Sequence, residues 1–185
     1  MKKLLSLLCA VLLLTAALCG CDTVNKVKEY GDLMMDAIDA VNDPDGKSTY
    51  TYSGVTLTLP NTFLDFTGKE EGKDYPFFFA SETTGLFGNK ESKTELTESV
   101  GEYDLAGYAA LIAQLNEMDA PTQVDGVWTA VYEADAGGET QTFTVVFYES
   151  GTDFWMIQAY CASEIFPEQK DNIWKCLTSI TLEDN

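Results

Sequence analysis

Two consecutive stretches of this chain, 139–149 and 153–161, are apolar on both of their alternating faces, and that restricts the fold more than any motif does. Phe143, Val145 and Phe147 fall on one side of the first stretch, Val146 and Tyr148 on the other. In the second, Phe154, Met156 and Tyr160 oppose Trp155, Ile157 and Ala159. Side chains alternate across a strand, so both sides of each must be covered. A third stretch near 122–134 precedes them, and the joins Ala136-Gly137-Gly138 and Ser150-Gly151-Thr152 are short. Short joins make the three an antiparallel meander.

The covers are legible as helices. Asp104 caps a segment over 104–117 whose apolar positions are Leu105, Tyr108, Leu111, Ile112 and Leu115; another, 166–178, presents Ile173, Cys176, Leu177 and Ile180 as one stripe. Residues 22–43 read as an amphipathic helix through Val24, Val27, Tyr30, Met34, Ile38 and Val41, ended by Asp43-Pro44-Asp45-Gly46. Packing on the domain is expected of it, because a free helix would leave its stripe in water. Tyr50 to Leu59 reads as one strand with Gly54 as a bulge, followed by a short strand at 63–66, a charged loop at 67–75 and a strand from Phe77 that turns at Thr83-Thr84-Gly85. Residues 178–182 form a short terminal strand. The fold class expected is α+β, an α/β/α sandwich whose central, mostly antiparallel sheet is flanked by helices.

The N-terminus carries an address. Met1-Lys2-Lys3 is followed by an apolar run from Leu4 to Leu18, broken only by Ser6, Cys9 and Thr15. That is short of the ~20 residues needed to cross a bilayer and fits a secretory signal. Leu18-Cys19-Gly20-Cys21 resembles the lipobox of bacterial lipoproteins, with Cys19 departing from the more usual Ala, Ser or Thr. The resemblance implies cleavage between Gly20 and Cys21 and a diacylglycerol on the Cys21 sulfur. An ordinary signal peptide or an uncleaved anchor are the alternatives. The organisation expected is a lipoprotein signal peptide at 1–20, a lipidated N-terminus with its helix at 21–47, and a globular domain at 48–185. The expected location is the extracytoplasmic face of the cell membrane.

Loss of residues 1–20 from the 185 would leave 165, with nine lysines against thirty acidic residues and a net charge of −21. This excludes phosphate-backbone binding, which depends on clustered cations, so no nucleic acid is expected. Membrane association would rest on the lipid alone. The chain has no histidine, and every basic residue is lysine. Ser-His-Asp and Cys-His catalysis and His-bearing zinc sites are therefore excluded, as is bidentate arginine recognition of carboxylate or phosphate. Only carboxylate pairs, lysine or a lone cysteine remain for chemistry, and no enzyme is expected.

Four segments in order resemble a known superfamily. They are the strand Val55-Thr-Leu-Thr-Leu-Pro60 followed by Phe63, the helix Asp104-Leu-Ala-Gly-Tyr108, the meander, and the closing Ile173-Trp-Lys-Cys-Leu-Thr-Ser-Ile-Thr-Leu182. Together they are similar to the PsbP-like superfamily, which includes a Ran-binding nuclear transport factor and many bacterial lipoproteins. The similarity spans roughly 48–183, without the helix at 22–43. It implies an α/β/α sandwich that binds partner proteins rather than catalysing a reaction, and it supplies no catalytic set.

The remaining constellations are weighed on their chemistry. Gly85-Leu86-Phe87-Gly88 places two large apolar residues between glycines in a hairpin or loop. Either they fold back on the core, or Leu86 and Phe87 form a partner contact with Tyr75 and Pro76 on the same edge. Cys161 and Cys176 are expected as two buried free thiols, since a helix starting near 166 carries Cys176 about 15 Å away, beyond the ~7 Å a disulfide spans. Trp128, Trp155 and Trp174 read as core. Glu95 with Glu98, and Glu117 with Asp119, are carboxylate pairs that read as solvated, with Ca²⁺ binding or glycoside chemistry the alternatives. No cofactor is expected beyond the lipid on Cys21. The function expected is that of a membrane-anchored lipoprotein with a non-catalytic domain for a protein or cell-wall partner. A solute- or divalent-metal-binding lipoprotein is the alternative, and a carboxylate-based enzyme a remoter one.

Overall fold

The structure, a computed structural model, describes residues 31, 33, 35, 37, 38, 42, 43, 45–136 and 138–183. From Lys47 onward, among the described residues, ten strands and three helices follow in order: β1 (Lys47–Tyr52), β2 (Val55–Pro60), β3 (Leu64–Asp65), β4 (Phe77–Ala80), β5 (Gly85–Ser92), α1 (Lys93–Val100), α2 (Leu105–Leu115), β6 (Thr122–Val124), β7 (Val127–Ala136), β8 (Glu139–Glu149), β9 (Asp153–Ala162), α3 (Phe166–Thr178) and β10 (Thr181–Leu182). Seven strands form one sheet in the order β3-β4-β5-β9-β8-β7-β6, and three form another, β1-β2-β10. All the strand pairs are antiparallel.

The meander stands as its patterning requires. One face of the large sheet is sealed by α3 and the small sheet. Leu57, Phe77, Phe79, Leu86, Trp155, Ile157, Ile173 and Leu177 meet there with essentially no exposure. On the other face α2 lays Tyr108, Ala109 and Ile112 over Ala130, Val145, Phe147 and Phe154. The Tyr108 ring stacks on Phe154 at 4.5 Å. Asp104 caps α2 as expected, its carboxylate accepting from the Gly107 N–H at 2.7 Å. Cys161 and Cys176 are free buried thiols in the sealed core, where Trp155 also lies. Trp128 and Trp174 pack half-buried at the edges of the two cores.

Three expectations are corrected, and one further helix appears. The stretch 50–59 is two strands, because Ser53 and Gly54 both have positive φ, 52° and 84°, and form a two-residue turn. Such a turn is type I′, whose twist suits a hairpin. The apolar phase moving from even positions (Tyr50, Tyr52) to odd ones (Val55, Leu57) marks that turn rather than a bulge. The stretch 122–134 is likewise broken at Asp125-Gly126, with φ of 52° and 84°. The polar stretch before Asp104 holds a helix, α1, which has no buried residue; Ser92 caps it by accepting from the Glu95 N–H. In the N-terminal helix, Gly31, Leu33, Met35, Ala37, Ile38 and Asn42 are helical, and among these Leu33 and Ala37 are buried while Ile38 is 48% exposed. Ile38, the one residue of the predicted stripe among those described, is therefore not covered as expected. Residues 1–30, with the signal and Cys21, lie outside the described residues.

Candidate functional site

Glycines decide how the predicted contact residues are placed. Gly85-Leu86-Phe87-Gly88 is no loop; it opens β5, which pairs with both β4 and β9. Both glycines leave room for a neighbouring ring. A Cβ on Gly85 would sit 2.3 Å from the Tyr160 ring, and one on Gly88 would sit 2.4 Å from the Phe77 ring, on the opposite face. Leu86 points into the sealed core with 0% exposure, so it is withdrawn as a partner contact. Phe87, at 9%, is withdrawn as an exposed one.

Phe87 nevertheless belongs to neither core. It is the middle of a row of rings that crosses five strands on the face carrying α2. Tyr75 lies 4.6 Å from Phe87 and 5.9 Å from Phe78, and Phe78 lies 6.1 Å from Phe66. In the other direction Phe87 meets Tyr160 edge-on at 6.2 Å, Tyr160 stacks on Phe143 at 5.2 Å, and Phe143 on Tyr132 at 4.8 Å. The adjacency of Tyr75 and Phe87 is therefore real. Pro76 is half-buried beside Tyr75 at the start of β4. Apart from Phe87, the rings of the row are half-buried. Gln158, buried beneath them, is satisfied by the Tyr132 hydroxyl, which donates to its Oε1 at 2.9 Å. Burial, reinforced by the neighbouring Tyr75, raises the Tyr132 and Tyr160 phenols above the ordinary tyrosine value. Sequence reasoning missed Phe66, Phe78, Tyr132, Phe143 and Tyr160 as members of the row. The signal was there as an odd–even phase, but cross-strand neighbours follow only from the register.

A second concavity lies between the small sheet, the β4–β5 turn and α3. This cleft, about 590 Å³, has an apolar floor of Phe63, Ile173 and Cys176 and a rim that includes Lys47, Thr62, Gln169, Asn172 and Lys175. Some of its hydroxyls are committed to the backbone. Ser81 accepts from the Thr83 and Thr84 N–H groups, and Ser179 exchanges hydrogen bonds with the N–H and C=O of Thr58. Burial pushes the Cys176 thiol up to about 11, against the opposing pull of the Lys47 ammonium. A thiol held protonated in this way is a poor nucleophile.

The carboxylate pairs are not drawn into a cation site. Glu117 and Asp119 border an open hollow with Glu133, and among the described residues no group of three or more Asp, Glu or Cys is arranged to hold a metal. Glu95 and Glu98 are exposed on α1. Among the described residues no helix is long and apolar enough to cross a membrane.

No family model matches the chain, and no curated protein does. Solved structures do. The Ran-binding protein Mog1p of Saccharomyces cerevisiae is similar over 75% of this chain and 96% of its own, at 11% identity and a TM-score of 0.52. The fold is Mog1p-like. More distant likenesses are the cyanobacterial PsbP, CyanoP, of Synechocystis (10% identity, 74% and 92% covered, TM-score 0.45) and LpqN of Mycobacterium tuberculosis, involved in cell envelope biogenesis (10%, 77% and 95%, 0.43). A Bacteroides thetaiotaomicron protein matches at 12% identity and a TM-score of 0.49 over 75% of this chain, which spans only 48% of that protein's length. At 11% identity the likeness to Mog1p establishes the architecture alone, an α+β sandwich as expected, and the activity must be argued from this chain's own residues.

Proposed function

We propose that this chain is a lipid-anchored extracytoplasmic binding protein, tethered through Cys21, whose PsbP/Mog1-like domain docks an envelope protein and carries out no covalent chemistry. The observation that carries the docking reading is the aromatic row, seven rings in successive contact, of which only Tyr132 packs against a core. Rigid aromatic side chains give large contact area at low entropic cost and dominate interface energetics. The absence of histidine and arginine, and a Cys176 thiol held protonated, leave little to run a reaction. The lipobox-like Leu18-Cys19-Gly20-Cys21 supplies the tether. Mog1p is itself described as Ran-binding, which agrees with a domain whose work is partner recognition.

Two measurements test the proposal. Intact mass spectrometry of membrane-extracted protein is expected to show a chain starting at an acylated Cys21; a product retaining Met1, or an unmodified Cys21, overturns the anchor. A photo-crosslinking residue at Tyr75 is expected to give a discrete protein adduct in cells, and the same residue at Val131, exposed on the other face of β7, none. Equal adducts from both positions, or none from Tyr75, overturn the docking face.

A further inference from the structure

The cleft between β2, the β4–β5 turn and α3 is reversed in sign relative to the rest of the molecule. The chain has 30 acidic residues and 11 lysines, yet the cleft is lined by Lys47 and Lys175 and by no carboxylate. The acids nearest in sequence, Asp43 and Asp45 before β1, Glu82 on the turn, and Glu168 and Asp171 on α3, fall outside the lining. Among the described residues Lys73, Lys90 and Lys93 are held in ion pairs with Glu70, Asp153 and Glu149. Lys69 also has a partner. Lys47, Lys170 and Lys175 have none among the described residues, and the first and last of these line the cleft. The side chains of Thr62, Gln169 and Asn172 are also without a hydrogen-bond partner among the described residues. Two ammonium groups, two amides and a hydroxyl therefore ring an apolar floor, all with donors to spare.

We propose that this cleft binds a small anionic polyol, a sugar or similar ligand bearing a phosphate or carboxylate. The anion would be held between Lys47 and Lys175, and the hydroxyls by Gln169, Asn172 and Thr62. A volume of about 590 Å³ lies within the range of small-molecule sites and accommodates a monosaccharide phosphate. Lysine serves such an anion as a point charge, the one cationic chemistry open to a chain with no arginine. The overall negative charge does not oppose this at close range, because fields beyond about 8–10 Å are screened at physiological salt. The ligand can be free or carried on a polymer; the chemistry of capture is the same.

The test is calorimetric titration of the purified full chain with glucose 1-phosphate, glucose, inorganic phosphate and phosphorylated dextran. Saturable binding of glucose 1-phosphate is expected, tighter than glucose or inorganic phosphate by about tenfold or more, as expected for one charge-assisted contact. Lys47→Gln and Lys175→Gln are each expected to weaken it by about tenfold at unchanged Tm, since both side chains are exposed and unpaired. Lys170→Gln removes the same charge outside the cleft and is expected to change nothing. Tighter binding per phosphate to the dextran than to the monomer assigns the ligand to a polymer, and weaker binding to a free solute; both support the proposal. No saturable heat, equal affinity for glucose or for inorganic phosphate, or an equal loss in Lys170→Gln overturns it.

Discussion

The two faces of the seven-stranded sheet are built from the same strands yet closed in different ways. On one, α3 and the small sheet bury Phe77, Leu86, Trp155, Ile157 and Leu177 almost completely. On the other, α2 covers the part around Val145, Phe147 and Phe154, and beyond it the rings cover one another. A face closed by a helix has no slack, because every atom has neighbours on all sides. A face closed by its own aromatics keeps a half-exposed surface that is apolar, rigid and available. Alternation along a strand does not distinguish the two, since both faces are apolar; what sits on top does.

The largest effects should separate those faces. Leu177→Ala is expected to cost about 3–5 kcal/mol of stability in urea unfolding, the usual range for a fully buried leucine that leaves a cavity. Phe143→Ala, in the half-covered row, should cost roughly 2 kcal/mol, about half the value for a core phenylalanine. Equal costs would mean that the two faces are equally closed. The paired glycines sharpen this further. Gly88→Ala drives a methyl into the Phe77 ring, which has no room to move, whereas Gly85→Ala meets a Tyr160 ring that can swing toward solvent. Overpacking in a tight core costs about 1–3 kcal/mol, so Gly88→Ala should fall in that range and Gly85→Ala below it; the reverse order of Tm would break the comparison.

Alkaline pH is a gentler probe. Burial lifts the Tyr148 phenol, on the sealed face, to about 12, and its hydroxyl donates to the Leu177 carbonyl at 3.0 Å. A folded state that holds its proton more tightly than the unfolded chain is stabilised below pH ~10, the unfolded tyrosine value, and loses that contribution as pH rises toward 12. Cys176, lifted to about 11, acts in the same direction from pH ~8.5 upward. Stability should therefore fall between about pH 9 and 12, and Tyr148→Phe should flatten the upper part of the fall; an unchanged slope would remove Tyr148 as its source. The smallest effect expected is a gain. Glu117 closes α2 with φ of 55°, as Met118 N–H reaches back to Ala113. Glu117→Gly should relieve the left-handed strain and raise stability by about 0.5–1 kcal/mol, read as a small increase in Tm.

Much of the fold could be read from residue patterns, and the reasons for the misses are specific. Helix 166–178, the Asp104 cap and the last two meander strands are signalled by periodicity and local chemistry, and they stand as read. The turns at Ser53-Gly54 and Asp125-Gly126 were also signalled, by a phase change and by an Asp-Gly pair, but each was overridden by the length of the apolar run around it. Strand β5 was obscured because Gly85 and Gly88 resemble loop residues until the rings lying over them are known. Of the candidate contacts, Tyr75 and Phe87 lie ring to ring, while Leu86 falls on the opposite face because neighbouring strand residues do. The cleft left no trace in any motif. Its donors come from β1, the loop after β2 and α3, and only folding shows that they lie unused on one rim.

The last residues of the domain are fastened to some of its first. Ser179 bonds to the backbone of Thr58, and β10 pairs with β2 across Thr181–Thr56 and Leu182–Val55. A polypeptide synthesised from its N-terminus cannot seal that corner until position 182 has left the ribosome, however early the β1–β2 hairpin forms. A product cut short before Thr181 would leave Val55 and Thr56 of β2 unpaired on that side. Such unpaired backbone groups invite proteolysis, so the fold itself betrays a chain broken before that corner is sealed.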